Sequence, residues 1–351
     1  MLFRSALPEA DAVVGLDRYG ELVPALDRLT AWQPIRIRPA AQAKMDILFQ
    51  VKRPTPSTPY AYVKVAEGCD KPCTFCAIPL FRGKQRSRPP LNIRDEIADL
   101  ASAGVGEIVL VAQDLAAYGR DIDAPGGITD LLRFVSDVDG LRRLRLFYLY
   151  PKEIRPQLIE EMASSAIIAS YFDLSLQHAN RELLRAMKRP GDGQRHLALI
   201  DDIRTASPDA ATRSSFIVGF PGETDAHVEE LADFLAQAQL DWAGFFPYSA
   251  EEGTPAADLA GRVDPEVVTE RLRYLMSIQE EITAEANAAV VGRTLRVLVD
   301  GLEDGRPYGR SYREAPEIDG IIEFDTGKPG DYVDVEIDAS YGSELAGTVV
   351  G

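Results

Sequence analysis

Six short apolar runs alternate with helical patterns between Tyr60 and Ala289, and this alternation constrains the fold more than any other feature. The runs read AYVKVAE, EIVLVA, RLRLFYLY, YFDLSLQ, TRSSFIVGF and WAGFFPY, with helical patterns such as NIRDEIADLASAG and DAHVEELADFLAQAQ between them. Strands that alternate with helices form a parallel sheet, and nearly continuous apolar strands are covered on both faces. The sequence therefore predicts an α/β fold, a partial TIM-like (βα)6 barrel over residues 60–290.

Three other regions flank this domain. Residues 51–59, VKRPTPSTP, have the composition of an extended linker. Residues 1–50 indicate a short strand and a helix that end a longer domain. The short alternating runs TLRVLVDG, GIIEF, DYVDVEIDA and LAGTVVG, punctuated by Gly and Pro, predict a small antiparallel β-barrel over residues 291–351.

Charge and cysteine content limit the function classes. The net charge of -17 opposes nonspecific binding to nucleic acid, because Lys and Arg must supply phosphate contacts. The C-terminal barrel has six Lys or Arg against thirteen Asp or Glu from residue 293 onward, where an RNA-binding barrel would be basic. No apolar run reaches the roughly 20 residues of a membrane span. An odd number of cysteines without a secretion signal indicates metal-binding or reactive thiols, and we expect a cytoplasmic protein.

All three cysteines lie within eight residues, as CxxxCxxC: Cys69, Cys73 and Cys76. Structural zinc takes four protein ligands, so a zinc site would need His178, His196 or His227 from more than a hundred residues away. A [4Fe–4S] cluster on three cysteines leaves one iron free, as a catalytic centre requires. We expect the cluster; a zinc site or unligated core cysteines are the alternatives.

Polar residues and glycines at the ends of later strands are the further candidates, because parallel strands bring their carboxyl ends to one mouth. These are Gln113 and Asp114, Ser175 and Gln177, and Gly219, Pro221 and Gly222 in FIVGFPGET. Arg213 and Ser215, within the strand run TRSSFIVGF, are further candidates. An inward-facing Arg213 needs an anion, which is either a ligand or an internal carboxylate. Asp114 could be a helix cap, and FIVGFPGET a plain strand-to-helix turn. We expect His178 to be structural or exposed, and His196 and His227 to lie on solvated helix faces.

The cysteine spacing, with Phe75 before the last cysteine and the loop after the first strand, resembles the radical S-adenosylmethionine superfamily. The resemblance implies that the free iron is chelated by S-adenosylmethionine, whose reductive cleavage yields a deoxyadenosyl radical. It also implies ligand contacts for the candidates at the mouth. Gln113 and Asp114 would hold the methionine amino group, Gly219, Pro221 and Gly222 would pack against the adenine, and Arg213 and Ser215 would contact the ribose and carboxylate.

EGCDKPCTFCAIPLFRGKQRSRP, QHANRELLRAMKRPG and FIVGFPGET, followed by a small barrel of TRAM type, are similar to the methylthiotransferases of this superfamily. One class modifies an adenosine of transfer RNA, and the other the β-carbon of an aspartate in ribosomal protein uS12. AIPLFRGKQRSRP, YLYP and FPYSAEEGTPAA resemble the ribosomal-protein class, and an acidic barrel suits a basic ribosomal partner. The transfer RNA class stays an alternative, as does a non-enzymatic ribosome-binding module or a truncated remnant.

The family resemblance also implies a reducing electron donor and a second, auxiliary iron–sulfur cluster held by an N-terminal domain. The chain has no cysteines for that cluster, and residues 1–50 resemble the end of that domain. We therefore expect this chain alone to cleave S-adenosylmethionine without inserting sulfur.

Overall fold

The computed structural model describes residues 56–122, 124 and 126–351, together with Leu26 and Pro54. The chain divides into two compact units, residues 1–54 and 55–351, and the elements below belong to the second. The interpretation of residues 1–50, and of most of the linker 51–59, lies outside the described residues, so these domain bounds stay predictions.

Strands and helices alternate along the barrel domain, and short strands follow it. The strands are β1 Tyr60–Lys64, β2 Ala66–Glu67, β3 Arg86–Ser87, β4 Glu107–Val111, β5 Arg143–Leu146, β6 Tyr171–Gln177, β7 Ala211–Val218, β8 Trp242–Pro247, β9 Thr294–Glu303, β10 Arg306–Arg310, β11 Ile322–Glu323, β12 Tyr332–Tyr341 and β13 Glu344–Val349. The helices are α1 Ile78–Arg82, α2 Pro90–Ser102, α3 Gly127–Ser136, α4 Pro156–Ser164, α5 Arg181–Ala186, α6 Gly193–Ala206, α7 Asp225–Ala238 and α8 Pro265–Ala288. In the described part of the chain, none of the helices has the length and apolarity of a membrane span.

Six parallel strands confirm the predicted partial barrel. β1, β4 and β5 pair in that order, as do β6, β7 and β8. Two isolated parallel bridges, Leu144 to Ile168 and Leu149 to Leu174, join the two halves between β5 and β6. Apolar strand residues such as Ile108, Leu110 and Phe216 are fully buried because helices cover the sheet.

The C-terminal strands close into a five-stranded barrel in the order β10, β11, β13, β12, β9. Its pairings are antiparallel, as predicted, except for β11 with β13, which is parallel. Val297, Val299, Val335 and Ile337 fill its own small core. β10 was not predicted, because RPYGR contains a proline and a glycine.

The segment 310–319, which begins at the last residue of β10, contacts the amino-terminal parts of the six parallel strands at Tyr60, Glu107, Arg143, Tyr171, Arg213 and Trp242. The Trp242 indole donates to the Arg313 carbonyl oxygen at 2.8 Å, and the Tyr171 hydroxyl donates to Asp319 at 2.6 Å. These contacts fix the C-terminal barrel at the end of the strands opposite the cysteine loop, which follows the carboxyl end of β1.

Candidate active site

The loop that carries the three cysteines is closed at its base. β2 and β3 pair antiparallel on either side of it, and the Cys69 amide donates to the Gly83 carbonyl oxygen at 3.1 Å. Gly68 has φ +81°, and a Cβ there would lie 2.3 Å from the Lys84 carbonyl oxygen. Only glycine fits this close approach, so the chain is shaped to return on itself just before Cys69.

Thr74, between the cysteines, pins the loop to two distant segments. Its amide donates to the Met187 carbonyl oxygen at 3.1 Å, and its hydroxyl donates to the Ala186 carbonyl oxygen at 2.8 Å. Its own carbonyl oxygen accepts from the Ala256 amide at 3.0 Å. Because Thr74 is buried, these three bonds hold the cysteines against the RAMKRPG and EEGTPAA segments.

Each cysteine is half-buried, and two of the sulfurs accept hydrogen bonds. Cys69 Sγ accepts from the Lys71 amide at 3.4 Å, and Cys73 Sγ from Arg189 Nη1 at 3.8 Å. Burial raises the pKa of Cys69 and Cys76, and the charge of the neighbouring thiolates raises it further. A cationic group bound to all three sulfurs would offset this mutual repulsion.

These thiols suit the donor set of an iron–sulfur cluster, which is held by thiolates. Among the described residues, no three His, Cys, Asp or Glu side chains surround a single point closely enough for one metal ion. A cluster with three cysteines binds each thiolate at a different iron and so does not need such convergence.

Phe75 packs between the cysteine loop and the end of β7. It lies against an apolar cluster that contains Met187, Phe220 and Ala256. The aromatic residue before Cys76 therefore connects the two motifs that the sequence singles out, Cys69–Cys76 and FIVGFPGET.

Gln113 and Asp114 follow the carboxyl end of β4, as predicted. The Asp114 carboxylate is buried, and its Oδ2 lies 3.2 Å from Lys71 Nζ in the cysteine loop. Burial raises the pKa of Asp114 although Lys71 opposes the shift. Gln113 Oε1 is buried and has no hydrogen-bond partner in the described part of the chain. An acceptor without a donor at this position suits a bound ligand that carries an ammonium group.

Ser175 and Gln177 end β6, where the pairing with β7 shifts register between Leu174 and Gln177. Gln177 has φ +74°, a left-handed backbone that non-glycine residues adopt at a free-energy cost. Both side chains are half-buried, in contrast to the fully buried Leu176 between them.

Arg213 has the internal carboxylates that the ion-pair alternative requires. Its Nη1 lies 3.0 Å from Asp173 Oδ1 on β6, and its Nε lies 3.4 Å from Asp319 Oδ1 of the segment 310–319. The hydroxyl of Ser215 accepts from Arg213 Nη1 at 3.3 Å. The guanidinium charge is therefore balanced within the protein, and nothing in the sequence pattern indicated Asp319 as a partner.

The FIVGFPGET turn is braced by Glu223. Its carboxylate accepts from the Gly219 amide at 2.9 Å and from Arg271 of α8 at 2.9 Å. Gly219 has φ +81°, and a Cβ there would lie 2.4 Å from Val268 Cγ2. The Gly222 amide donates to the Gly261 carbonyl oxygen at 2.8 Å, and Pro221 is buried. A cavity of about 350 Å³ lies next to Gly219, between the end of β8 and α8.

Comparison with known proteins identifies the family. The sequence model described as "Radical SAM superfamily" matches residues 63–235, and that of the TRAM domain matches residues 291–350. Ribosomal protein uS12 methylthiotransferase RimO of Saccharopolyspora erythraea is 40% identical over 98% of this chain and 78% of that protein. The RimO proteins of Desulforamulus reducens and Moorella thermoacetica are 40% and 41% identical, over 97% and 95% of this chain and 78% and 77% of those proteins. This chain belongs to the RimO family.

The family assignment confirms the predicted resemblance and makes the chain a radical S-adenosylmethionine enzyme. The cofactors of this superfamily are a [4Fe–4S] cluster and S-adenosylmethionine. All three cysteines, and every strand-end candidate from Gln113 to Gly222, lie within the matched residues 63–235.

Sequence reasoning did not predict that Tyr150, Glu153 and Arg189 lie around Lys71 and Cys73 of the cysteine loop. The Tyr150 ring lies 4.5 Å from Lys71 Nζ and 4.0 Å from the Arg189 guanidinium. Lys71 also pairs with Glu153. Arg189 lies in RAMKRPG, a stretch that the family resemblance used, and this was the one signal that could have found it.

The three histidines do not form a zinc site with the cysteines. His178 is fully buried, and burial lowers its pKa to about 3, so its ring is neutral and structural as expected. The prediction for His196 was wrong: it is buried against Phe234, because α6 packs on α7 along that face. His227 is half-buried and caps α7.

Proposed function

We propose that this chain is a radical S-adenosylmethionine methylthiotransferase that adds a methylthio group to the β-carbon of an aspartate in ribosomal protein uS12. The observation that carries the proposal is the closed loop of Cys69, Cys73 and Cys76, which the β2–β3 pair closes at its base and Thr74 ties to two distant segments. The RimO relatives that the chain matches over most of their length, named as uS12 enzymes, supply the substrate class.

In this proposal the three cysteines bind three irons of a [4Fe–4S] cluster, and the fourth iron receives S-adenosylmethionine. When bound, these groups supply the one-electron chemistry that breaks a strong C–H bond, which no side-chain base can do at neutral pH. The protein's part is to hold the loop rigid through Thr74, Gly68 and the β2–β3 pair.

The remaining candidates would bind and orient S-adenosylmethionine. Gln113 Oε1, which has no hydrogen-bond partner in the described part of the chain, and the buried Asp114 carboxylate would accept from its ammonium group. The turn of Gly219, Pro221 and Gly222 would pack against its adenine. Phe75, Ser175 and Gln177 would lie beside them at the mouth. Arg213 and Ser215 lie further toward the amino-terminal end of β7, where Arg213 contacts Asp319 of the segment 310–319. Of these, Arg213 has the weakest support, because Asp173 and Asp319 already balance its charge.

The surface charge of the C-terminal barrel supports a basic protein partner. Asp300 and Asp319 are occupied by arginines inside the protein, which reduces the charge that faces a partner. Eight acidic side chains of the barrel still stand exposed against four basic ones. This surface favours a ribosomal protein on electrostatic grounds and disfavours direct contact with nucleic acid.

The location of the enzyme, its electron donor and its source of sulfur are inferred from the family resemblance. The enzyme would be cytoplasmic and would take electrons from a reducing donor protein. The sulfur to be inserted would come from an auxiliary cluster, for which the 351 residues contain no further cysteine. We propose that Cys69, Cys73 and Cys76 of this chain serve the formation of the radical.

The test is anaerobic reconstitution of the chain with iron and sulfide, followed by reduction and measurement of iron and of deoxyadenosine from S-adenosylmethionine. About four irons per chain with deoxyadenosine release supports the proposal. Stoichiometric zinc with no iron uptake, or iron uptake without any cleavage of S-adenosylmethionine, contradicts the proposal. Either result favours the non-enzymatic ribosome-binding module. Parallel reactions with uS12 and with transfer RNA distinguish the two methylthiotransferase classes, since only the true substrate is modified or changes the rate of cleavage.

A further inference from the structure

We propose that Arg189 raises the reduction potential of the cluster by donating a charged hydrogen bond to the Cys73 thiolate. The inference rests on the proposed function, because it assumes that the three cysteines hold a [4Fe–4S] cluster. It adds a tuning role for a residue outside the cysteine loop.

The donors to the cysteine sulfurs come from different parts of the chain. Cys69 accepts from a backbone amide of its own loop, that of Lys71. Cys73 accepts from the side chain of Arg189, 116 residues further along the chain. Arg189 is thus a charged donor to a cluster ligand, and it can be replaced without changing the loop.

The Arg189 guanidinium is held in place from three sides. Its Nη2 donates to the Ser175 carbonyl oxygen, and its plane lies 4.0 Å from the centre of the Tyr150 ring. Its Nη1 points to Cys73 Sγ at 3.8 Å. The side chain is nine-tenths buried, so water does not screen its charge.

Arg189 also differs from the other cation over Tyr150. Lys71 is paired with both Asp114 and Glu153. Within the described part of the chain, no carboxylate lies within ion-pair distance of Arg189, whose polar contacts are the Ser175 carbonyl oxygen and the Cys73 sulfur. A buried cation requires an anion, and the Cys73 sulfur is the ligand atom that would supply it as a thiolate.

Reduction adds one electron, from a low-potential reductant, to the oxidised cluster and makes the site more negative by one charge. A fixed cation and a hydrogen bond to a ligand sulfur stabilise the reduced state more than the oxidised state. Loss of Arg189 should therefore shift the midpoint potential to more negative values.

The experiment is a potentiometric titration of the reconstituted chain, without S-adenosylmethionine, followed by the EPR signal of the reduced cluster. Arg189→Gln should titrate at a more negative potential than the unsubstituted chain. Arg189→Lys keeps the positive charge but loses the planar guanidinium, so it should lower the midpoint potential less than Arg189→Gln does. Lys188→Gln is the matched control, because it removes the same charge from the adjacent, exposed residue, and it should leave the potential unchanged.

Equal potentials for the unsubstituted chain and Arg189→Gln, both with a full cluster, would overturn the inference and leave the cluster assignment intact. An equal shift in Lys188→Gln would also overturn it, since any nearby charge would then suffice. An unsubstituted chain that takes up no iron would overturn the proposed function as well. If Arg189→Gln takes up no cluster, the potential of Tyr150→Leu is measured instead. This substitution removes the ring that orients Arg189. A midpoint potential equal to that of the unsubstituted chain would contradict the proposal.

Discussion

Glu107 is the centre of a buried charge network that ties the barrel domain to the C-terminal barrel. It lies at the start of β4 and is fully buried. Its carboxylate accepts from Arg145 at 2.6 Å and from Arg310 of β10 at 3.0 Å, and Arg143 lies 3.6 Å away. Burial alone would raise its pKa, but the three arginines outweigh burial and lower the pKa to about 2.

The substitution Glu107→Gln should cost about 3 kcal/mol in the free energy of unfolding at neutral pH. The lowering of the pKa, from an ordinary value near 4.5 to about 2, corresponds to about 3 kcal/mol. Breaking a buried ion pair by removing one partner costs about 3–5 kcal/mol. We expect the lower end of that range, because Arg310 keeps Asp300 as a second partner.

The assay is urea unfolding followed by circular dichroism, from pH 7 downward. A lowered pKa means that the unfolded chain binds more protons, so the contribution of Glu107 is complete above about pH 4.5 and is lost as the pH falls toward 2. Glu107→Gln should lack this part of the acid destabilisation. Asp334→Asn is the control, since it breaks the exposed pair with Arg296 and should cost less than about 1 kcal/mol. If Glu107→Gln lowers the free energy of unfolding by no more than Asp334→Asn does, the reasoning is refuted.

Three further predictions concern the cysteine loop and its neighbours. Each of Cys69→Ala, Cys73→Ala and Cys76→Ala should abolish the cluster, measured as iron per chain and EPR signal; a variant with full iron and full deoxyadenosine production would show that the ligand assignment is wrong. Gly68→Ala should reduce iron loading and cost more than about 1 kcal/mol, because its Cβ would meet the Lys84 carbonyl oxygen, whereas Gly104→Ala, with a similar φ of +90° and open space, should keep full iron. Thr74→Val should lower iron loading because it removes the bond to the Ala186 carbonyl oxygen while keeping the side-chain shape, and unchanged loading would contradict a pinning role.

Local patterns in the sequence were enough to predict the elements of the barrel domain. The six strands are short, nearly continuous apolar runs, and the long helix α8 begins at Pro265, where a proline favours a helix start. Arg143 and Arg145 sit inside the apolar run RLRLFYLY, and nothing local shows that they donate to carbonyl oxygens of residues 310–312. Such pairs join residues more than 160 positions apart, so the local periodicity of the sequence cannot predict them.

At the candidate site too, local sequence patterns predicted some features, and long-range contacts that decide the others required the structure. The cysteine spacing predicts the cluster ligands, which stays a prediction, and the glycine positions predicted the turns. The roles of Thr74 and Arg189 depend on contacts with segments more than a hundred residues away, so they required the structure. His196 was placed on the wrong face because α6 buries it against α7, a packing that the pattern of that helix did not reveal.

The most direct test of the account uses a uS12 substrate whose aspartates carry deuterium at the β-carbon. The reconstituted, reduced chain is incubated with this substrate and S-adenosylmethionine, and the deoxyadenosine is analysed by mass spectrometry. The account predicts that deuterium appears in the deoxyadenosine, whether or not sulfur is inserted afterwards. Deoxyadenosine that forms at the same rate with and without uS12, and that contains no deuterium, would contradict the claim that an aspartate of uS12 is the substrate.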